Sequence, residues 1–260
     1  MIPCRLPSDG LDGAPPLRAV SFDAAGTLFH SIRPIGELYA MVAARHGITA
    51  DPTHLHARFR AAFHAAPPLA FPLLPPDELR AREKAWWHAV VTDVFADVAA
   101  DVAADVARER FDAYFDDLFA FFSSAAAWRV DDDAHALLTR VRARGLRVLV
   151  VSNFDARVRG VLTALGLAPL IDQITISSEA GAAKPDPRIF ATALAAAELS
   201  PSDVLHVGDT AREDLAAARA AGIEVVLIGG DELASEAPDA ARVTRLGDVA
   251  TYIERRLPAR

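Results

Sequence analysis

The feature that most constrains this chain is a set of short apolar runs that each end on polar residues. Leu17 to Phe22 runs into Asp23 and then Gly26-Thr27, Arg147 to Val151 runs into Ser152-Asn153, and Asp203 to Val207 runs into Gly208-Asp209. Runs this short and this largely apolar are the pattern of parallel strands covered on both faces. A fourth run, Glu224 to Ile228, follows a helical stretch, Asp214 to Ala221, and a stop at Gly222, which completes a β-α-β rhythm. The expected fold class is therefore α/β, with a Rossmann-like, doubly wound parallel sheet as the core. Ligands of such sheets sit outside the carboxyl ends of the strands, where these polar termini converge.

Between the first two runs, about Ser31 to Ser124, the texture changes to alanines, aromatics and acids at helical spacing, with no strand pattern. A single crossover helix would use a small part of that length, so the stretch reads as an inserted helical domain. The expected organisation is a mobile leader at 1–16, an α/β core at 17–31 and 125–260, and a helical cap at 32–124. Pro67-Pro68, Pro72 and Pro75-Pro76 separate an early helical part of the cap from a later one, because proline ends helices. Asp93, Asp97, Asp101 and Asp105, each followed by valine, are assigned to one solvated stripe of a cap helix rather than to a metal ladder.

Composition narrows the function classes. Over 260 residues, 52% hydrophobic, there is material for a sizeable core. One cysteine, Cys4, allows neither an internal disulfide nor a thiolate metal site, which makes the cytoplasm the expected location. A formal charge of −8 argues against nucleic acid and anionic membrane as partners, so an anionic substrate needs a dedicated pocket. The segment Met1 to Pro16 lacks the apolar stretch of a signal peptide, and charges interrupt every candidate membrane span.

Read in order, the strand ends supply Asp23-Ala24-Ala25-Gly26-Thr27, Ser152-Asn153, Lys184-Pro185-Asp186, and Gly208-Asp209 with Asp214 five residues beyond. Any one of these is a common turn or cap. As an ordered set they resemble the haloacid dehalogenase (HAD) superfamily of hydrolases, subfamily IA, from Leu17 to about Gly230, and the long insertion resembles that superfamily's C1 helical cap. Lys84-Ala85-Trp86-Trp87, Val151-Ser152-Asn153-Phe154-Asp155 and Lys184-Pro185-Asp186-Pro187-Arg188-Ile189-Phe190 resemble the branch named for the rhythmically expressed gene two protein.

The resemblance implies a phosphomonoester phosphatase with a small phosphorylated molecule as substrate. Asp23 would attack phosphorus to form an aspartyl-phosphate, splitting one hard displacement into two easier ones. Mg²⁺ would be held by Asp23, Asp209 and the backbone carbonyl of Ala25, with Asp214 orienting that set. Ser152, Asn153 and Thr27 would bind the substrate, while Lys184 neutralises the transferring group and positions Asp23. The departure is Ala25, where phosphatase members carry a second aspartate that protonates the leaving oxygen and then activates water. Losing such an acid removes a contribution of about 10²–10⁴ in rate. Weak turnover is therefore expected, with His30 and Glu37 as minor candidates for a replacement acid.

Two alternatives stay open. One is a non-catalytic module that binds a phosphate, metabolite or partner with the same cradle. The other is a 2-haloacid dehalogenase, which resembles this chain at Phe22 to Phe29, has tyrosine in place of Ala25, and would recruit a cap arginine among Arg33, Arg45, Arg58 and Arg60. Halide displacement by a carboxylate needs no metal, so Asp209 and Asp214 favour phosphate. His54 and His56 are read as surface residues, His206 as a hydrogen-bonded core histidine, and Trp86 and Trp87 as packing within the cap.

Overall fold

The computed structural model describes residues 16–71, 73–97 and 104–257. The expected leader falls almost wholly outside the described residues, as do Asp101, Pro72 and Cys4. Two compact units emerge: one comprises the chain up to His30, Ala70–Leu73 and Val130–Arg260, the other Ser31–Leu69 and Leu74–Arg129.

The first unit is built on β1 (Ala19–Phe22), β4 (Arg147–Ser152), β5 (Gln173–Ile176), β6 (Val204–Gly208), β7 (Glu224–Ile228) and β8 (Ala241–Val243), in the order β5-β4-β1-β6-β7-β8. Every pairing in this sheet is parallel. β1 lies between β4 and β6, which are far from it in sequence, and the crevice where strand order reverses is where such sheets bind ligands. All four residues of β1 and all five of β6 are buried, as a two-sided cover requires.

Helices α5 (Ala134–Ala143), α6 (Arg157–Ala164), α7 (Ser177–Ala180), α8 (Arg188–Ala197), α9 (Ala216–Ala220), α10 (Asp231–Glu236) and α11 (Val249–Arg256) complete this unit. α8 shows why the sequence folds this way: Ile189, Phe190, Ala193, Leu194 and Ala197 recur on one face and are buried with Leu149, Val151 and Val204 of the sheet. Truncating Phe190 there would cost about 3–5 kcal/mol. α11 is tied down by Glu224 at the start of β7, which accepts from Tyr252 Oη at 2.5 Å and Arg256 Nε at 2.7 Å.

The second unit contains α1 (Ile35–Arg45), α2 (Pro52–Ala65), α3 (Pro76–Val94) and α4 (Ala104–Phe122). α2 starts where Asp51 accepts from the His54 N–H at 2.8 Å with Pro52 in the first helical position. Its core joins Tyr39, Val42, Leu55, Val91, Tyr114 and Phe115. Short strands β2 (Phe29–Ser31) and β3 (Trp128–Val130) form a separate two-stranded sheet.

Several details differ from the sequence reading. The aspartate–valine repeat is not one helix, because α3 ends at Val94 and α4 starts at Ala104. Asp97 instead lies 3.5 Å from Arg58. His56 is half-buried rather than a surface residue, and its Nδ1 has no hydrogen-bond partner among the described residues. The helix expected from Asp214 begins as a π-helical turn over Ala211–Leu215 and becomes α-helical only at Ala216. Trp86 and Trp87 do pack within the helical unit, at 4.9 Å between ring centroids, with Trp86 Nε1 donating to Pro67 O.

Candidate active site

Asp23 follows β1 directly, and its backbone N–H donates to Val207 O of β6 at 2.9 Å, which holds the loop after β1 against the end of that strand. Two glycines let these loops close. Gly26 has φ +102°, and a Cβ there would lie 2.4 Å from Asp209 Oδ2. A Cβ on Gly208 would lie 2.2 Å from Asp214 Cγ. No side chain fits at either position, so the two carboxylates can approach the strand ends only because the backbone there is bare.

Lys184 is brought in from the loop between α7 and α8. Its ammonium donates to Asp23 Oδ1 and to Asp214 Oδ1, both at 2.6 Å, and the residue is 4% exposed. The Asn153 side chain holds that loop: Oδ1 accepts from Lys184 N at 2.7 Å, and Nδ2 donates to Lys184 O at 2.8 Å and to Glu213 Oε2 at 3.0 Å. The Lys184–Pro185 peptide is cis.

Asp214 is fully engaged. Oδ1 accepts from Lys184 and from His206 Nε2 at 3.1 Å, while Oδ2 accepts from Thr210 Oγ1 at 2.7 Å and from the N–H groups of Asp209 and Thr210 at 3.2 and 3.1 Å. The π-helical turn makes this possible, since its wider winding, with Leu215 N donating to Thr210 O, presents Asp214 back toward the strand end. Asp209 is less supported, with Thr27 Oγ1 3.5 Å from its Oδ1.

Electrostatics follow from this arrangement. Burial pushes the Asp23 carboxyl up, opposed by the Lys184 charge and by hydrogen bonds from Lys184 and Ser152. Burial, reinforced by the charges of Asp23 and Asp214, pushes Asp209 up to about 7. Asp214 is held low because Lys184 and His206 outweigh its burial, and Lys184 is raised because Asp214 and Asp23 outweigh its own. Carboxylate oxygens of Asp23, Asp209 and Asp214 lie within 4.8 Å of one another, a cluster that could hold a metal ion. Three acids against one ammonium, with Asp209 short of donors, suit a hard divalent cation.

The structure thus brings together Asp23, Ser152, Asn153, Lys184, Asp209 and Asp214, and places Thr27 against Asp209. It engages the candidate replacement acids elsewhere: His30 Nε2 is 3.1 Å from Asp131, and Glu37 is 3.8 Å from Arg33. Sequence reasoning missed Glu213, whose carboxyl burial pushes up, and the bond from His206 to Asp214. Proximity to Asp214 in the chain was the available signal for Glu213.

The haloacid dehalogenase-like hydrolase family model matches residues 17–222, spanning every residue of this cluster. The chain belongs to that family. This hydrolase is 36% identical to a human protein named haloacid dehalogenase-like hydrolase domain-containing protein 3, over 83% of each chain. It is also 26% identical to the rhythmically expressed gene 2 protein of Drosophila melanogaster, covering 81% of this chain and 82% of that one. A phosphoserine phosphatase of Thermus thermophilus is 35% identical over 50% of this chain and 52% of its own. Among solved structures, a dehalogenase with an intermediate complex superposes with a TM-score of 0.66 at 20% identity, covering 91% of this chain and 96% of that one, a likeness of fold. No helix among the described residues is long and apolar enough to cross a membrane.

Proposed function

We propose that this hydrolase is a Mg²⁺-dependent phosphomonoester phosphatase that works through an aspartyl-phosphate at Asp23. The observation that supports this best is the cluster of Asp23, Asp209 and Asp214, with Asp23 and Asp214 bonded to one buried ammonium. A carboxylate that displaced halide would have no use for the second and third acids, whereas a phosphoryl group brings anionic oxygens that must be balanced. The similarity to a phosphoserine phosphatase points the same way.

Asp23, Asp209 and the Ala25 carbonyl would hold the metal, and Mg²⁺ when bound would neutralise charge on the transferring phosphoryl group. Asp214, saturated with donors, holds Lys184 and the Asp209 backbone in place. Asp23 attacks phosphorus while the bond to the leaving oxygen breaks; water then cleaves the acyl phosphate, releasing phosphate and restoring the carboxylate. Ser152 and the Asn153 N–H hold phosphate oxygens, and Lys184 fixes the attacking carboxylate. Thr27 is assigned to support of Asp209 rather than to direct substrate contact. The methyl of Ala25 leaves both the departing oxygen and the incoming water without a proton partner, so good leaving groups are favoured. The helical unit serves as a cap that selects a small phosphorylated substrate in the cytoplasm.

Steady-state hydrolysis of an activated aryl phosphate, with and without Mg²⁺ and with Asp23→Asn as background, tests this reading. Metal-dependent turnover lost in that variant is the expected result. Rates equal to the variant's would contradict this reading and favour a non-catalytic module that binds a phosphate, metabolite or partner.

A further inference from the structure

We propose that His206, which lies two residues before Gly208 inside β6, is a positioning residue: held as its Nε2–H tautomer by Ser21, it fixes Asp214 and through Asp214 the Lys184 ammonium. The inference rests on the phosphatase reading only for its effect on rate; the positioning link itself is structural.

Four observations carry it. Ser21 and His206 are register partners on adjacent parallel strands, so their side chains emerge side by side on one face of the sheet. Ser21 Oγ lies 2.9 Å from His206 Nδ1, and both residues are buried, His206 completely. His206 Nε2 lies 3.1 Å from Asp214 Oδ1, the same oxygen that accepts from Lys184 at 2.6 Å. Phe190 packs edge-on against the ring at 4.8 Å between centroids and 79°, which restricts its rotation.

The donor inventory then dictates the protonation pattern. An ionised carboxylate only accepts, so Nε2 carries the proton that faces Asp214. In the neutral ring Nδ1 then keeps a lone pair, and the Ser21 hydroxyl, 2.9 Å away, is the donor placed to meet it. Ser21, His206, Asp214, Lys184 and Asp23 thereby form one buried chain of hydrogen bonds leading from the middle of the sheet to the attacking carboxylate. Without His206, Asp214 Oδ1 would be located by Lys184 alone, while Oδ2 keeps its three donors from Asp209 and Thr210. Partners of this kind, one step removed from the reacting atoms, typically change activity by about 10–100-fold when removed.

The test combines kinetics with ring-nitrogen NMR of the full-length protein at pH 7.5. His206 should show a protonated Nε2 and an unprotonated Nδ1. His206→Leu should lower kcat for aryl phosphate by about 10–100-fold with KM changed less than about threefold. Ser21→Ala should give a smaller loss in the same direction, and Ser21→Thr, which keeps the hydroxyl, should restore it. An imidazolium or an Nδ1–H tautomer at His206 overturns the proposal, as does a folded His206→Leu protein with wild-type kcat. If His206→Leu does not fold, Ser21→Ala and the NMR decide. A protein that turns nothing over but shows the Nε2–H tautomer, lost in Asp214→Leu, upholds the positioning link while removing the phosphatase reading.

Discussion

Lys184 and Asp214 meet at 2.6 Å with almost no exposure of either side chain, and the same ammonium reaches Asp23 at the same distance. One cation thus organises two acids whose loops follow strands β1 and β6. Removing it leaves buried like charges facing one another, a change that typically costs about 3–5 kcal/mol. Lys184→Met should therefore lower the free energy of unfolding by about that amount at pH 7, read by urea titration. Burial already pushes the Asp23 carboxyl up and Lys184 opposes it, so without the ammonium Asp23 takes up a proton more readily in the folded state and the deficit should shrink as pH falls toward 4. A deficit independent of pH would contradict this.

The loop contact between Gly26 and Asp209 gives a sharper steric prediction. Gly26→Ala adds a Cβ 2.4 Å from Asp209 Oδ2 at φ +102°, where alanine is strained in any case. Asp209 must move, so the variant should lose Mg²⁺-stimulated hydrolysis by at least about tenfold while its circular dichroism stays native. Wild-type metal dependence in that variant would show that Asp209 is not a ligand.

Ala25→Asp introduces an acid two residues after Asp23, where the resemblance to phosphatases implies one. The gain should be at least about tenfold for alkyl phosphates and smaller for aryl phosphates, whose leaving oxygen needs little protonation. Equal effects on both substrates, or none in folded protein, would mean that acid loss does not limit turnover.

Asp172 offers a pH test away from the site. Burial pushes its carboxyl up, but the Val148 N–H at 2.8 Å and Arg142 at 2.5 Å outweigh burial and hold it low. A depressed folded pKa contributes stability above the unfolded value, and that stability is lost as pH falls through the folded one. Asp172→Asn should cost about 1 kcal/mol at pH 7, discounted for partial exposure, and almost nothing at the acid limit. A constant difference between pH 7 and pH 3 would contradict the assignment.

How far these features were legible in the chain depends on how local their causes are. β1, β4, β6 and β7 were readable because they are largely buried and mostly apolar, with Ser21 and His206 as polar residues inside β1 and β6. β5, Gln173–Ile176, and β8, Ala241–Val243, were not: β5 alternates polar and apolar residues, β8 is three residues long, and both lie at sheet edges. The aspartates and Lys184 stood out as strand-end motifs. The links of His206 to Asp214 and of Asn153 to Lys184 depend on strand register and loop closure, which no local pattern encodes. The end of α3 at Val94 was not legible either, since the aspartate–valine period by itself favours a continuous helix.

The proposed function turns on phosphorylation of Asp23. Ala25 leaves the second step without an activated water, so an aryl phosphate should load Asp23 faster than the acyl phosphate is hydrolysed. Rapid acid quench during the first turnover, followed by peptide mapping, tests this most directly. The expected result is a Mg²⁺-dependent, hydroxylamine-sensitive phosphoryl group on the peptide containing Asp23, approaching one per chain and absent from Asp23→Asn. Turnover without that label, or wild-type turnover by Asp23→Asn, would contradict it.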